Sequence, residues 1–286
     1  MKWPTWQQGA ITAIVFSAIA VFAARSRPTR WKEVARPAAV EIAILAGLYS
    51  LWRIARTLPL ASDDGAIERG RQIDRFQHWL HLPSELSLQH LALGHDWFGR
   101  FLNYYYAIVH VPATLTFLVW LYVRHRDVYP HWRNGLAFVT GSCLFIRFVR
   151  VAPPRFLPDL GYIDLAEKFG WSVYGPVGTG VSDQFAAMPS IHVGWAAVVA
   201  LGAVAASTSR WRWVVFLHLP ITMLAVSGTG NHWWLDGIVA IVLLWLGLWL
   251  DTQWRRRRGQ RSGRAAPAPM SARSAASRPA CQPSAS

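Results

Sequence analysis

Charge is scarce in this chain of 286 residues: Asp, Glu, Lys and Arg make up 15%, against about 25% in an ordinary soluble domain. That shortage, set beside 53% hydrophobic residues, excludes an ordinary soluble enzyme and points to a membrane protein. Cysteine is nearly missing too. Cys143 lies in an apolar run and Cys281 in a polar tail, surroundings too different for a disulfide framework or a thiolate metal cluster. Acidic residues are also few, 15 against 29 Lys and Arg, which leaves a net charge of +14. Such a balance suits a nucleic-acid binder, but the placement of the charges argues otherwise. Tryptophan, by contrast, is abundant at 17 residues, and the amphipathic indole collects where hydrocarbon meets water.

A bilayer core needs roughly 17 to 25 mostly apolar residues per helix. Seven stretches approach or meet that length, near residues 8–24, 38–57, 103–123, 135–152, 188–207, 212–229 and 232–250. The expected fold is all-α, a polytopic membrane bundle of about seven transmembrane helices. Loops rich in Lys and Arg stay in the cytoplasm, and alternate connections here differ in sign. Residues 25–37 carry a net +4, residues 124–134 +2, the turn at Arg210 and Arg212 +2, and the tail from Asp251 +7. Residues 58–101 and 152–188 each carry −2. One threading satisfies this pattern, with the N-terminus outside and the tail inside the cell membrane. The basic charge is therefore topological, and no nucleic-acid partner is expected. A signal peptide cleaved after Ala18-Ile19-Ala20 is the competing reading of residues 1–24; it would invert every later loop against the charge pattern, and is rejected.

This threading divides the chain into two N-terminal transmembrane helices (1–60), an extracytoplasmic amphipathic connection (61–101), a catalytic transmembrane core (102–250) and a disordered basic tail (251–286). Within the connection, Ile73, Phe76 and Leu80 recur at helical spacing beside Arg69, Arg71 and Asp74, which predicts an amphipathic helix at the outer interface. Ser84 before Glu85 predicts the cap of a second short helix. The connection reads equally as a lid over a site and as a structural cap. The Arg255–Arg258 run reads as a stop-transfer anchor on anionic headgroups, and the Ala-, Ser- and Pro-rich residues after it cannot bury a core.

Ionisable groups near membrane helices are costly and mark functional sites, and here they gather at one end. The fourth segment ends in Arg147 and Arg150 and is followed by Arg155, Pro189-Ser190-Ile191-His192 opens the fifth, and Asn231-His232 through Asp236 opens the seventh. His232 and Asp236 are four apart, so on a helix they share a face and the carboxylate orients the imidazole. Two His, an Asp and several Arg suit phosphoryl transfer, because guanidinium groups grip phosphate oxygens in pairs. Pro189 before Ser190 suits a helix start that favours an anion. No carboxylate cluster is present to hold Mg²⁺, and no cofactor is expected. His78, His81, His90 and His95 read as surface groups, while His110 and His218 read as satisfied packing residues.

Arg155 after Pro153-Pro154, then Pro189-Ser190-x-His192, then His232-x-x-x-Asp236 resembles the three-part signature of the type 2 phosphatidic acid phosphatase superfamily. The strings Ala152-Pro153-Pro154-Arg155, Met188-Pro189-Ser190-Ile191-His192 and Thr229-Gly230-Asn231-His232 look closest to its branch related to inositol phosphorylceramide synthase, an inositolphosphotransferase. The resemblance implies His232 as nucleophile, Asp236 as its orienter, His192 as general acid, and a phosphate cradle of Arg155 and Ser190 joined by Arg150 or Arg147. It also implies a metal-free reaction on a lipid phosphate held in the bilayer. Two positions depart from the signature. No Lys stands upstream of Arg155, and Ala225-Val226 replace the usual Ser-Arg of the third part. Residues Gly228 to Asn231 are the candidates for making up the missing donors. Hydrolase and transferase both fit these motifs, and a non-catalytic anion-binding or transport protein is the competing class; the His-Asp dyad beside a second His argues for the enzyme.

Overall fold

The computed structural model describes residues 4–25, 30–55, 64–170 and 184–264. Those residues form a helical membrane-type bundle with one isolated parallel bridge, Val151 to Ala186, and no strand among them. The helices are α1 (Trp6–Arg25), α2 (Arg30–Ala55), α3 (Ala66–Trp79), α4 (Glu85–Gly94), α5 (Asp96–Ile108), α6 (His110–Arg124), α7 (Tyr129–Ile146), α8 (Leu165–Phe169), α9 (Ile191–Ala206), α10 (Arg212–Phe216), α11 (His218–Gly228) and α12 (Trp234–Arg264). By length and composition three of the described helices can cross a membrane: α1, most of α2, and α12 from Trp234 to Arg258. The α5–α6 pair, bent by 51°, makes a fourth when counted as one span.

Two of the seven apolar segments are each broken into two helices, and proline explains both breaks. A proline ring has no N–H to donate and clashes with the carbonyl four residues back. Counting back from Pro112 gives Ile108, the last residue of α5; counting back from Pro220 gives Phe216, the last residue of α10. The fourth segment also ends earlier than residue 152. Helix α7 stops at Ile146, because the chain leaves the helix to bond elsewhere. Val151 N–H donates to Phe185 and Ala152 N–H to Ala66, while the Val151 carbonyl accepts from Ala187. At the other end α12 continues to Arg264, so residues 251–264 are helical rather than disordered; Arg255 Nε on Asp251 at 2.6 Å supports that turn. Residues 265–286 of the expected tail, and residues 171–183 of the loop before the fifth segment, lie outside the described residues.

The core is centred on α9, which packs against α6, α7, α10, α11 and α12. Between membrane helices, small residues let backbones approach and packing supplies the attraction. Gly202 of α9 shows how closely: a Cβ there would lie 2.4 Å from the Phe117 ring. The N-terminal hairpin α1–α2 packs chiefly on itself and touches the core along α7. Glu41 of α2 accepts Arg133 Nη1 on both oxygens at 2.6 Å, and Arg147 Nη2 donates to the Ala55 carbonyl at 3.0 Å. These two links make α2 and α7 run parallel.

The outer connection is helical as expected, with Ser84 accepting from Ser87 N–H at the start of α4. The stripe on α3 divides. Ile73 packs against the cluster around Leu157 and Trp233, whereas Phe76 and Leu80 are exposed beside Trp79. The buried face of α3 is instead Ala66, Gly70 and Gln77.

Candidate active site

Three separated pieces of chain meet at one end of the bundle, and backbone bonds fix their register. Arg155 N–H donates to the Gly230 carbonyl at 3.0 Å, and Ser190 N–H donates to the Asp236 carbonyl at 3.1 Å. Trp233, fully buried, donates its indole N–H to the Ala152 carbonyl at 3.0 Å. Gly230 turns the chain at φ 72°, a conformation that favours glycine. A Cβ there would also sit 2.9 Å from Gln89 Nε2.

The four-residue spacing of His232 and Asp236 does bring them together, though not on one helical face. Helix α12 begins at Trp234, so His232 lies before it and Asp236 occupies its first turn. Asp236 Oδ2 accepts Trp233 N–H at 2.8 Å, closing a capping-box bond, and lies 3.3 Å from His232 Nδ1. A nearer partner of that nitrogen is the Ala187 carbonyl, at 2.7 Å. A carbonyl only accepts, so Nδ1 carries the proton and Nε2 holds a lone pair. Nε2 is buried and has no hydrogen-bond partner among the described residues. This is an imidazole with one nitrogen fixed and the other available as a nucleophile.

The remaining backbone donors of the α12 N-terminus are satisfied from outside the helix. Trp234 N–H donates to Glu85 Oε1 at 2.9 Å and Leu235 N–H to Gln77 Oε1 at 2.8 Å, while Gln77 Nε2 donates to the same Glu85 oxygen at 2.8 Å. Helices α3 and α4 thus cap the helix that follows His232.

Arg155 is buried; its Nη1 donates to Asn231 Oδ1, and its Nε lies 3.4 Å from Asp164. Asn231 Nδ2 in turn donates to Thr229 Oγ1 at 2.8 Å. Asn231 therefore positions the guanidinium, and its amide N–H is committed to Thr229. Ser190, fully buried, caps α9 by accepting Val193 N–H, which leaves its own hydroxyl proton to donate. His192 opens α9 with its ring centroid 5.9 Å from that of His232, close enough for both to act on one phosphate.

Arg147 and Arg150 are placed differently. Arg147 reaches the end of α2 through Ala55, and the Arg150 carbonyl accepts Arg69 Nε at 2.5 Å. Neither contact involves Arg155, Ser190, His192 or His232. His78, His81, His90 and His95 are exposed. His110 is not a satisfied packing residue: it is buried, and neither ring nitrogen has a hydrogen-bond partner among the described residues. Its ring lies 4.9 Å from His192, and Tyr106 lies 4.6 Å from His192. His218 holds Tyr105 OH at 2.5 Å through Nδ1. The tilted and edge-on ring contacts of Tyr106 and His110 with His192 have no sequence signal beyond apolar-helix membership, and the Ala187 carbonyl has none at all. Among the described residues no three His, Cys, Asp or Glu side chains converge as a metal site would require.

A family model described as the PAP2 superfamily matches residues 71–250, from within α3 through most of α12. No curated protein and no solved structure matches the chain. The matched region is more than half of the chain and contains Arg155, Ser190, His192, His232 and Asp236 together, so the chain belongs to the PAP2 superfamily.

Proposed function

We propose that this protein cleaves or transfers the phosphoryl group of a lipid phosphate ester through a phosphohistidine on His232. The single observation that carries the reading is the state of that imidazole: Nδ1–H is held by the Ala187 carbonyl beside Asp236, and the buried Nε2 has no hydrogen-bond partner among the described residues. Membership of the PAP2 superfamily supports the phosphatase-type chemistry.

In the first step the Nε2 lone pair attacks phosphorus. An N–P bond forms, the P–O bond to the lipid breaks, and His192 gives its proton to the departing oxygen. In the second step His192 takes a proton from water or an alcohol, whose oxygen attacks phosphorus and returns the electron pair to Nε2. Arg155 and the Ser190 hydroxyl balance charge on the equatorial oxygens, the work that Mg²⁺ does in many phosphotransferases. The Arg147 guanidinium reaches the end of α2, whereas Arg155 is bonded to Asn231 beside His232, which supports Arg155 as the principal cation of this cradle. The loop charges support a site at the outer face of the cell membrane. The strings around Arg155, His192 and His232 fit water and an alcohol such as inositol alike as the acceptor.

The test is an assay on lipid phosphate and on an activated aryl phosphate, with chelator throughout. His232→Ala should abolish turnover of both. His192→Ala should lose most activity on the lipid and, on the aryl ester, whose leaving group needs no proton, recover the first step, read as a burst of released aryl alcohol. Phosphate release that is replaced by a phosphorylated alcohol when inositol is added identifies a transferase. Anion binding without turnover of either substrate would show a non-catalytic binder, and activity in His232→Ala would overturn the mechanism.

A further inference from the structure

At the end of the bundle away from His192 and His232, the start of α7 and the last third of α12 frame a cavity of about 350 Å³. That volume lies in the range of small-ligand sites, about 300–1,000 Å³. Its floor is an ordered polar scaffold in which the charges already have partners. Asp251 accepts from His131 Nδ1 at 2.6 Å, Asn134 Nδ2 at 2.7 Å and Arg255 Nε at 2.6 Å. Arg133 is committed to Glu41 and Asn134.

The rim differs. Among the described contacts Arg255 gives only its Nε, so both terminal nitrogens are available. Arg258 lays its guanidinium over the Trp254 ring at 4.8 Å, with no hydrogen bond among the described residues. Two guanidinium forks thus border one cavity beside an exposed indole, and one helical turn back from that indole the apolar side chain of Leu250 is exposed. Phosphate oxygens match paired guanidinium N–H groups, and indole marks the headgroup level of a bilayer. Arg256 and Arg257 belong to the same basic run, but neither lines the cavity.

We propose that this cavity is a binding site for the phosphate headgroup of an anionic phospholipid in the leaflet at the basic end. The phosphate sits between Arg255 and Arg258, and the acyl chains descend past Trp254 along Leu250. The site is separate from the one that carries His232 and does not depend on its chemistry.

The experiment is native mass spectrometry of the full chain, titrated with phosphatidylglycerol, phosphatidylcholine or inorganic phosphate. The wild type should retain phosphatidylglycerol in preference to phosphatidylcholine. Arg255→Gln with Arg258→Gln should weaken that retention about tenfold or more, the scale of losing charge-assisted contacts. Arg256→Gln with Arg257→Gln, equal in charge, should leave it within about twofold, below 1 kcal/mol. Arg258→Gln alone keeps the Asp251 scaffold intact and should still weaken binding, which covers misfolding of the double variant. Equal loss in both doubles would reduce the effect to general charge and overturn the site. So would undiminished retention in Arg258→Gln, or displacement of the lipid by inorganic phosphate at matched concentration.

Discussion

At the scale of single residues, the decisive atom is a backbone carbonyl. Ala187 O, at 2.7 Å from His232 Nδ1, fixes the tautomer, and Asp236 at 3.3 Å faces the same nitrogen and closes the helix cap. Replacing Asp236 by Asn leaves the carbonyl in place, so the imidazole keeps its proton on Nδ1. The expected loss in kcat is about 10- to 100-fold, the range for removing an orienting partner. A loss as complete as that of His232→Ala would show that Asp236, not Ala187, holds the tautomer. Arg155 should respond in a second way. Asn231→Ala frees its guanidinium without removing it, so KM should rise several-fold while the leaving-group dependence of kcat stays as in the wild type. Residue spacing foretold the meeting of His232 with Asp236, since four positions are a short reach in a turn as well as on a helix. It did not foretell Ala187, Asn231 or the Tyr106–His110 pair against His192, because those partners come from distant elements and two act through groups that every residue or every packed helix possesses.

The element that governs the site is the N-terminus of α12. Its early N–H groups are accepted by Asp236, Glu85 and Gln77, so α3 and α4 act as a fixed cap. Sequence left lid and cap equal because a Glu and a Gln eight residues apart do not reveal that their partner is a helix more than a hundred residues away. Burial pushes the Glu85 carboxyl above its usual value, against the smaller opposing effects of the Trp234 and Gln77 bonds. The folded state therefore holds the proton more tightly than the unfolded state does. This contribution to stability is full below the ordinary Glu value of 4.5 and is lost as pH rises through the folded value. Glu85→Gln keeps an accepting oxygen and sheds the charge. Its melting temperature should equal or exceed the wild type at pH 8, with the difference shrinking at pH 5. Glu85→Ala removes the acceptor and should cost about 1–3 kcal/mol at either pH. A Gln variant less stable than wild type at pH 8 would show that the charge itself is needed at the helix end. The breaks after Ile108 and Phe216 were legible in principle from Pro112 and Pro220. Hydropathy alone joined the halves, because a kinked helix and a straight one have the same apolar content.

For the molecule as a whole, helix directions agree with the charge pattern. Helices α2 and α7 run parallel, and Asp251 of α12 meets His131 and Asn134 of α7, so α12 runs opposite to α7. Arg133 and Arg255 thus lie at one end, with His192 and His232 at the other. On the positive-inside rule the histidines face outward. Glu167 is exposed on α8 near that end. In a Cys281→Ser background, Glu167→Cys should react with an impermeant maleimide on intact cells. Reaction only after permeabilisation would reverse the orientation. The general architecture was legible because apolar length and loop charge are properties of local sequence. The seven-fold count was less so, since span length depends on where prolines and competing backbone bonds end each helix.

The α1–α2 hairpin lies before the family-matched region and meets the remainder chiefly along one side of α7, through Arg133 to Glu41 and Arg147 to Ala55. Such an attachment makes the polypeptide divisible. Residues 1–60 and 61–286, produced as two separate chains in one membrane, should find each other and purify as a complex, and Glu41→Ala in the shorter chain should release it. If the two chains never associate, continuity of the backbone rather than the arginine contacts holds the hairpin in place.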